Sequence, residues 1–202
     1  GISLFHSVAA FNNSGFDILG GLQNMIPYQS NVLLNLTTSG LIIFGGLGFL
    51  VILDVLRSRS FKKLCLHSKI VIVMSIFLIA AGMLSLKATE NITWLGAFFQ
   101  SVSARTAGFS SYPIGSFTDA GLFTLIILMF IGASPGSTGG GIKTSTFFVL
   151  IQAARSAATN QYAGAFKRKI PADVISKAFI ITFLSAIVVG TGTFIMCLLE
   201  PE

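Results

Sequence analysis

The sequence predicts an all-α polytopic membrane protein, in which membrane helices flank short re-entrant helices and one membrane helix is broken. Hydrophobic residues make up 53% of the 202 residues and charged residues only 10%, with a mean hydropathy of +0.83. Soluble domains carry about a quarter charged residues, so this composition indicates a membrane protein. The distribution of basic residues and an internal repeat then predict the topology and the architecture.

Long apolar runs predict the spans. Three of them can cross about 30 Å of hydrocarbon: Val32–Leu53, Ile70–Leu86 and Ala178–Leu199. Two further segments, Leu4–Phe11 and Ile92–Ala104, are helical in character but too short to cross. We therefore expect these two to be short helices that enter the membrane without spanning it.

Basic residues orient the chain. Ten of the thirteen Lys and Arg residues lie in 57–69 or 155–177, and the positive-inside rule places both segments in the cytoplasm. The net charge of +6 does not indicate nucleic-acid binding, because the basic residues are confined to gaps between apolar runs. The outward segments hold Asp17, Glu90, Asp119, Glu200 and Glu202. These acids are either a cation-concentrating vestibule or ordinary solvated loop charges.

One inward crossing is predicted to be broken. Ile70–Leu86 runs outward and 155–177 is inside again, so Leu122–Ala133 and Thr146–Ala154 must together make one crossing. The residues at 132–145 include several Gly and a Pro, which cost about 1 and 3 kcal/mol each in a helix. Irregular backbone at membrane depth survives only inside protein or beside a water-filled cavity. The loop is therefore expected in a transport path.

The same loop, SPGSTGGGIKTST at 134–146, invites comparison with a nucleotide-binding loop. That motif requires Lys directly after the last Gly, whereas Ile142 separates Gly141 from Lys143. The mismatch and the membrane setting argue against a nucleotide enzyme. We expect a protein that is not an enzyme.

An internal repeat sets the architecture. FHSVAAFNNSGFD at 5–17 resembles FQSVSARTAGFSS at 99–111, with offsets of 94 and then 93 residues. A short helix entering from outside would point its C-terminal carbonyls, with about half a negative charge, toward a pore. The chain after it would form a filter whose carbonyl oxygens replace a cation's hydration shell. Turning successive carbonyls toward one side requires backbone angles that a Cβ disfavours, and Gly15 and Gly108 lie at the positions where these angles are needed.

Two motifs carry a family resemblance. SARTAGFSS, with GLFTLIILMFIGASPGSTGGGIKTSTF, resembles the third repeat of KtrB-type subunits in the Trk/Ktr/HKT potassium-transporter superfamily. AFNNSGFD, with FGGLGF at 44–49, resembles the second repeat. The family has four membrane-pore-membrane repeats around one pore, so we expect this chain to be part of a longer protein.

The resemblance implies a division of the chain into repeats. The expected parts are 1–57 (pore helix, filter and inner helix), 58–69 (cytoplasmic linker), 70–155 (a complete repeat with the intramembrane loop 132–145), 156–177 (cytoplasmic linker) and 178–202 (first helix of the next repeat).

The resemblance also implies site residues. Backbone carbonyls of two filter strands would bind K⁺: Asn13, Ser14, Gly15, Phe16 and Thr106, Ala107, Gly108, Phe109. Glycine at both filter positions favours potassium. The intramembrane gating loop would comprise Gly136, Ser137, Thr138, Gly139, Gly140, Gly141 and Lys143.

Charged and polar residues near the filter have expected roles. Lys143 either repels permeant cations in the closed state or pairs with polar groups that hold the loop. Arg105 and Asp17 are expected to support the filter, with Arg105 a buried partner of an acid such as Asp17 or Asp119. His6 aligns with Gln100 and is expected to pack behind the filter.

The family's function implies the ion-translocating, multi-pass subunit of a potassium uptake system in the plasma membrane. K⁺ would be the transported ion, with Na⁺ as a coupling or activating ion. The implied partners are the lipid bilayer, a second copy in a homodimer, and a cytosolic KtrA-like ring of nucleotide-binding regulatory subunits. The alternatives are a sodium-translocating relative and a secondary carrier for organic anions, a class that also uses broken helices.

Overall fold

The computed structural model describes residues 1–19, 23–166 and 168–200 and is mostly helical there. The helices are α1 Ile2–Phe11, α2 Val32–Leu47, α3 Phe49–Ser58, α4 Leu66–Thr89, α5 Trp94–Ala104, α6 Asp119–Phe130, α7 Thr144–Thr159 and α8 Ala172–Leu199. The chain divides into two compact units, Gly1–Ser145 and Thr146–Glu202, and α7 runs through the boundary between them.

Among the described residues, two helices are long and apolar enough to span a membrane, by length and composition. They are α4, with 24 residues, and α8, with 28, while the bent pair α2–α3 counts as a third span if taken as one. The predicted spans Ile70–Leu86 and Ala178–Leu199 are confirmed as helices. Both helices begin before the apolar run, because the polar residues there continue the helix at little cost.

The predicted span Val32–Leu53 is not one straight helix. The structure breaks it at Gly48, where α2 ends, and α3 leaves at 95° to α2. Gly48 has a φ of +86°, and a methyl group on it would come 2.6 Å from the carbonyl oxygen of Pro135. The helix breaks because the glycine-rich loop packs against it and takes over its backbone hydrogen bonds. The described residues therefore contain a helix break at Gly48 in addition to the predicted break after α6.

The predicted break between α6 and α7 is present, and residues 131–143 form the irregular connection. The two expected short helices are also present as α1 and α5. Side-chain caps start α5 and α6: the Thr93 hydroxyl accepts from the Gly96 amide at 3.1 Å, and the Thr118 hydroxyl accepts from the Gly121 amide at 3.2 Å.

Of the two short helices, α5 lies at the centre of the first unit. α5 packs against α2, α4 and α6, and α1 packs against α2. The main buried cluster joins the two copies of the repeat; it contains Ala9, Ala10, Met25, Ile42, Phe99, Val102, Ala107 and Phe109. Burial of apolar side chains around α5 therefore holds the segment that follows it in a defined position.

The second unit contains most of α7, a two-stranded ribbon and α8. Strand β1 (Gly164–Ala165) pairs antiparallel with β2 (Arg168–Lys169). The sequence predicted only a linker here. The Lys169 ammonium lies 4.0 Å from the centre of the Tyr162 ring, a cation–π contact across the ribbon. Lys167 of this basic segment and Glu202 of the outward acids lie outside the described residues.

Candidate functional site

Two irregular segments follow α1 and α5, and their backbones have the same conformation. Asn13 and Gly15 have φ values of +52° and +70°, and Thr106 and Gly108 have +78° and +83°. The residue between each pair, Ser14 or Ala107, has a negative φ. Left-handed backbone at a non-glycine residue costs of order 1–2 kcal/mol. The surrounding structure must therefore hold Thr106 in this conformation, whereas asparagine at position 13 adopts it more readily.

The two segments lie side by side. A methyl group on Gly15 would come 2.7 Å from the carbonyl oxygen of Ala107 and 2.9 Å from the Cα of Gly108. A methyl group on Gly108 would come 3.3 Å from the Cα of Gly15. The close approach and the positive φ both require glycine at these positions. The structure thus brings together the two predicted filter segments.

The two phenylalanines that follow differ. Phe109 is 2% exposed, and its ring centre lies 4.8 Å from that of His6. Phe16 is 69% exposed in this chain. His6 is buried, and it contacts the phenylalanine that follows the glycine of the other repeat.

Hydrogen bonds from neighbouring side chains hold the second segment. The Ser103 hydroxyl donates to the Phe109 carbonyl at 2.5 Å, and the Gln100 amide donates to the Ser110 hydroxyl at 3.0 Å. The Ser110 amide donates to the Asn24 side chain at 3.2 Å. In the first segment, the Ser14 amide and hydroxyl both donate to the Ala9 carbonyl at 3.1 Å. Each segment is therefore tied back to the short helix before it.

Arg105 is buried, 9% exposed, at the C-terminal end of α5. Its guanidinium lies 3.5 Å from the Ser75 carbonyl and 3.4 Å from the Gly132 carbonyl, and donates to both. The expected pairing with an acid is wrong. The Asp17 carboxylate accepts from the Leu19 amide, and Asp119 lies in the first turn of α6, where a negative charge is favourable. Arg105 instead links α5 to α4 and to the loop.

The glycine-rich loop is compact and folds back on itself. The Ala133 amide donates to the Gly140 carbonyl at 3.1 Å, and the Ile142 amide donates to the Phe130 carbonyl at 3.0 Å. The Lys143 ammonium donates to the Gly139 carbonyl at 2.7 Å. This contact is the kind expected if Lys143 holds the loop through polar groups.

The loop contacts both candidate filter segments. The Asn13 side-chain amide donates to the Thr138 hydroxyl at 2.8 Å, and the Gly140 amide donates to the Thr106 hydroxyl at 3.1 Å. The structure therefore brings the predicted loop and the predicted filter residues into one site.

The loop also contacts the break between α2 and α3. The Ser134 amide donates to the Gly46 carbonyl at 3.1 Å, and the Thr138 amide donates to the Gly45 carbonyl at 3.3 Å. Gly45 and Gly46 have no role predicted from the sequence. The run FGGLGF at 44–49, with three glycines in an apolar span, is the signal that could have found them.

Glu90, one of the acids that the sequence predicts to face outward, has a structural role. The Glu90 carboxylate accepts from the Thr118 amide at 2.9 Å and from the Thr118 hydroxyl at 2.6 Å. It thereby joins the end of α4 to the start of α6.

Two short helices, each followed by an irregular segment and set among apolar spans, define a multi-pass membrane protein with re-entrant repeats. Comparison with known families gives the particular group. The family model described as TrkH, cation transport protein, matches residues 2–82 and again 68–201, and the chain belongs to this family. The superfamily resemblance is thereby confirmed.

Curated relatives and a solved structure agree with this assignment. The chain is 38% identical to Ktr system potassium uptake protein B of Vibrio alginolyticus, over 98% of this chain and 46% of that protein. It is 37% identical to potassium/sodium uptake protein NtpJ of Enterococcus hirae, over 91% of this chain and 43% of that protein. The chain thus spans about half the length of these relatives.

The solved structure is the potassium transporter TrkH from Vibrio parahaemolyticus. It matches with a TM-score of 0.71 and 23% identity, over 98% of this chain and 44% of that chain. This likeness confirms the fold of a polytopic membrane protein.

Proposed function

We propose that the chain belongs to the ion-translocating subunit of a potassium uptake system in the plasma membrane, and that it acts in transport and not as an enzyme. The paired left-handed backbone at Asn13–Gly15 and Thr106–Gly108 carries the proposal. Alternating signs of φ turn successive peptide groups in a similar direction, with N–H groups on one side and carbonyls on the other. A row of carbonyl oxygens is what a dehydrated K⁺ requires.

In this proposal, residues 13–16 and 106–109 are two strands of a selectivity filter. Helices α1 and α5 end directly before them, so the partial negative charge at each helix C-terminus lies next to the ion path. Arg105 supports the second strand through its bonds to backbone carbonyls. Asp17 supports the first through the turn it forms with Leu19.

The loop at 132–145 acts as the gate. Its contacts with both filter segments support a location next to the ion path. Its exposed residues are small, so it could move aside at low steric cost. Lys143 stabilises the closed loop through its bond to the Gly139 carbonyl.

The whole protein would work with partners. The name of the Vibrio relative refers to a Ktr system, which suggests several components. We propose a homodimer in the lipid bilayer, on a cytosolic KtrA-like ring of nucleotide-binding subunits that faces the basic segments 57–69 and 155–177. The repeat boundaries given above (1–57, 70–155 and 178–202, with linkers between) belong to the same proposal.

A second candidate is sodium transport, or K⁺ transport assisted by Na⁺. The name of the relative NtpJ, potassium/sodium uptake protein, supports this second candidate.

The test is potassium uptake by the full-length protein in uptake-deficient cells, with and without Gly108→Ser, in low-potassium medium at several sodium concentrations. We expect rescue by the wild type, and lost or sodium-leaky uptake in the variant. Unaffected rescue would make Gly108 a packing residue. No rescue, with protein in the membrane and its partner co-expressed, would favour sodium or an organic anion as the substrate.

A further inference from the structure

The two hydrogen bonds between the loop and the filter segments fall at equivalent positions of the repeat. Asn13 and Thr106 are 93 residues apart, the same offset that relates Gly15 to Gly108. Both residues have left-handed backbone, and both bond to the loop through their side chains. The loop therefore holds the first residue of each segment.

Thr138 makes the more connected of the two contacts. Its hydroxyl accepts from the Asn13 side chain at 2.8 Å and donates to the Phe11 carbonyl, the last of α1, at 3.1 Å. Its amide donates to the Gly45 carbonyl at 3.3 Å. Thr138 thus links the end of α1 and the first filter segment to the break between α2 and α3.

Asn13 transmits the contact to the filter. It is 8% exposed, its backbone has a left-handed φ of +52°, and its side-chain amide donates to the Thr138 hydroxyl. Two residues later, Gly15 is already in close contact with the Ala107 carbonyl. A displacement of Asn13 would therefore shift Gly15 against residues 106–109 and change the spacing between the carbonyl oxygens of the two filter segments.

We propose that Thr138 is a positioning residue for ion specificity: by holding the Asn13 side chain, the docked loop keeps the first filter segment in the geometry that prefers K⁺ to Na⁺. The proposal rests on the proposed function. It differs from a pure gating role, in which Thr138 would change how much ion passes but not which ion is preferred.

Thr138→Val tests this, because valine has nearly the same shape and lacks the hydroxyl. In full-length protein in uptake-deficient cells, we expect the apparent KM for K⁺ to rise about two- to tenfold, as loss of one partly buried hydrogen bond implies, and the preference for K⁺ over Na⁺ to fall. Thr138→Ser, which keeps the hydroxyl, should restore both. The matched control is Thr37→Val, since Thr37 is exposed on α2 and its hydroxyl bonds only to carbonyls of its own helix.

Three results would overturn the proposal: a Thr138→Val variant that behaves as wild type, one that raises the maximal rate at an unchanged ion preference, or a Thr37→Val control with the same defect. Thr106→Val, which removes the equivalent contact with the Gly140 amide, serves as the second variant if Thr138→Val does not reach the membrane. It should lower the ion preference in the same direction.

A binding measurement separates this proposal from the proposed function. Purified full-length protein is unfolded by heat at increasing K⁺ or Na⁺. We expect K⁺ to stabilise the wild type more than Na⁺ does, and this difference to shrink in Thr138→Val. A wild type that neither takes up nor is stabilised by K⁺ would overturn the proposed function. A normal wild type with an unchanged variant would overturn only the role of Thr138.

Discussion

The amide of Phe49 donates a hydrogen bond of 3.2 Å to the carbonyl oxygen of Gly136, and this bond joins two breaks in the helices of the chain. One break separates α2 from α3, and the other is the loop between α6 and α7. The amides of Ser134 and Thr138 bond back to the first break. Backbone groups freed at membrane depth need partners, and here each break supplies them to the other.

Gly48→Ala should disrupt this junction. The substituted residue would have to keep a φ of +86°, and its methyl group would lie 2.6 Å from the Pro135 carbonyl oxygen. We expect the free energy of unfolding to fall by about 2 kcal/mol or more, and ion leak to increase as the loop is displaced. Thermal unfolding of purified full-length protein and flux under closing conditions measure the two effects.

Gly40→Ala is the matched control for that substitution. Gly40 lies in α2, the helix that ends just before Gly48, and a methyl group on it would meet nothing within 4 Å. Its effect should be neutral or stabilising by up to about 1 kcal/mol, since alanine favours a helix. Equal destabilisation by the two substitutions would contradict the junction.

Gly15 and Gly108 should differ in how well they tolerate substitution by alanine. A methyl group on Gly15 would approach the Ala107 carbonyl oxygen to 2.7 Å, whereas one on Gly108 would approach the Gly15 Cα only to 3.3 Å. We therefore expect Gly15→Ala to reduce potassium uptake more strongly than Gly108→Ala. Uptake at matched membrane levels checks the order, and a reversed order would show that the two segments separate more easily than their contact implies.

Lys143 distinguishes two models of the closed gate. If its bond to the Gly139 carbonyl holds the loop, Lys143→Ala should raise potassium flux under closing conditions, and Lys143→Gln should leak less because it keeps a donor. If Lys143 acts by repelling cations, both variants should leak alike. Flux through Lys143→Ala equal to that of the wild type would rule out a gating role altogether.

Glu90 tests whether the outward acids focus cations or support the fold. Glu90→Ala removes the acceptor of two hydrogen bonds from Thr118 and should lower the free energy of unfolding by about 1–2 kcal/mol. Glu90→Gln keeps an acceptor and should lose less. The focusing role requires instead that Glu90→Gln, although stable, lowers potassium uptake at low ionic strength.

Some features of this protein were determined by its sequence alone. The helices α1, α4, α5 and α8, the break after α6 and the repeat all follow from the length and spacing of apolar runs and from helix-breaking residues. These are local properties of the chain, because a span needs a set number of apolar residues and a break needs Gly or Pro.

Other features of this protein depend on contacts that form only in the tertiary structure. The break at Gly48, the carbonyl partners of Arg105 and the contact of Thr138 with Asn13 all join residues far apart in the chain. An apolar run with glycines can remain a straight helix, and a buried arginine can pair with an acid or with carbonyls. The choice depends on which backbone groups the folded chain brings within hydrogen-bonding distance, and no local pattern records that.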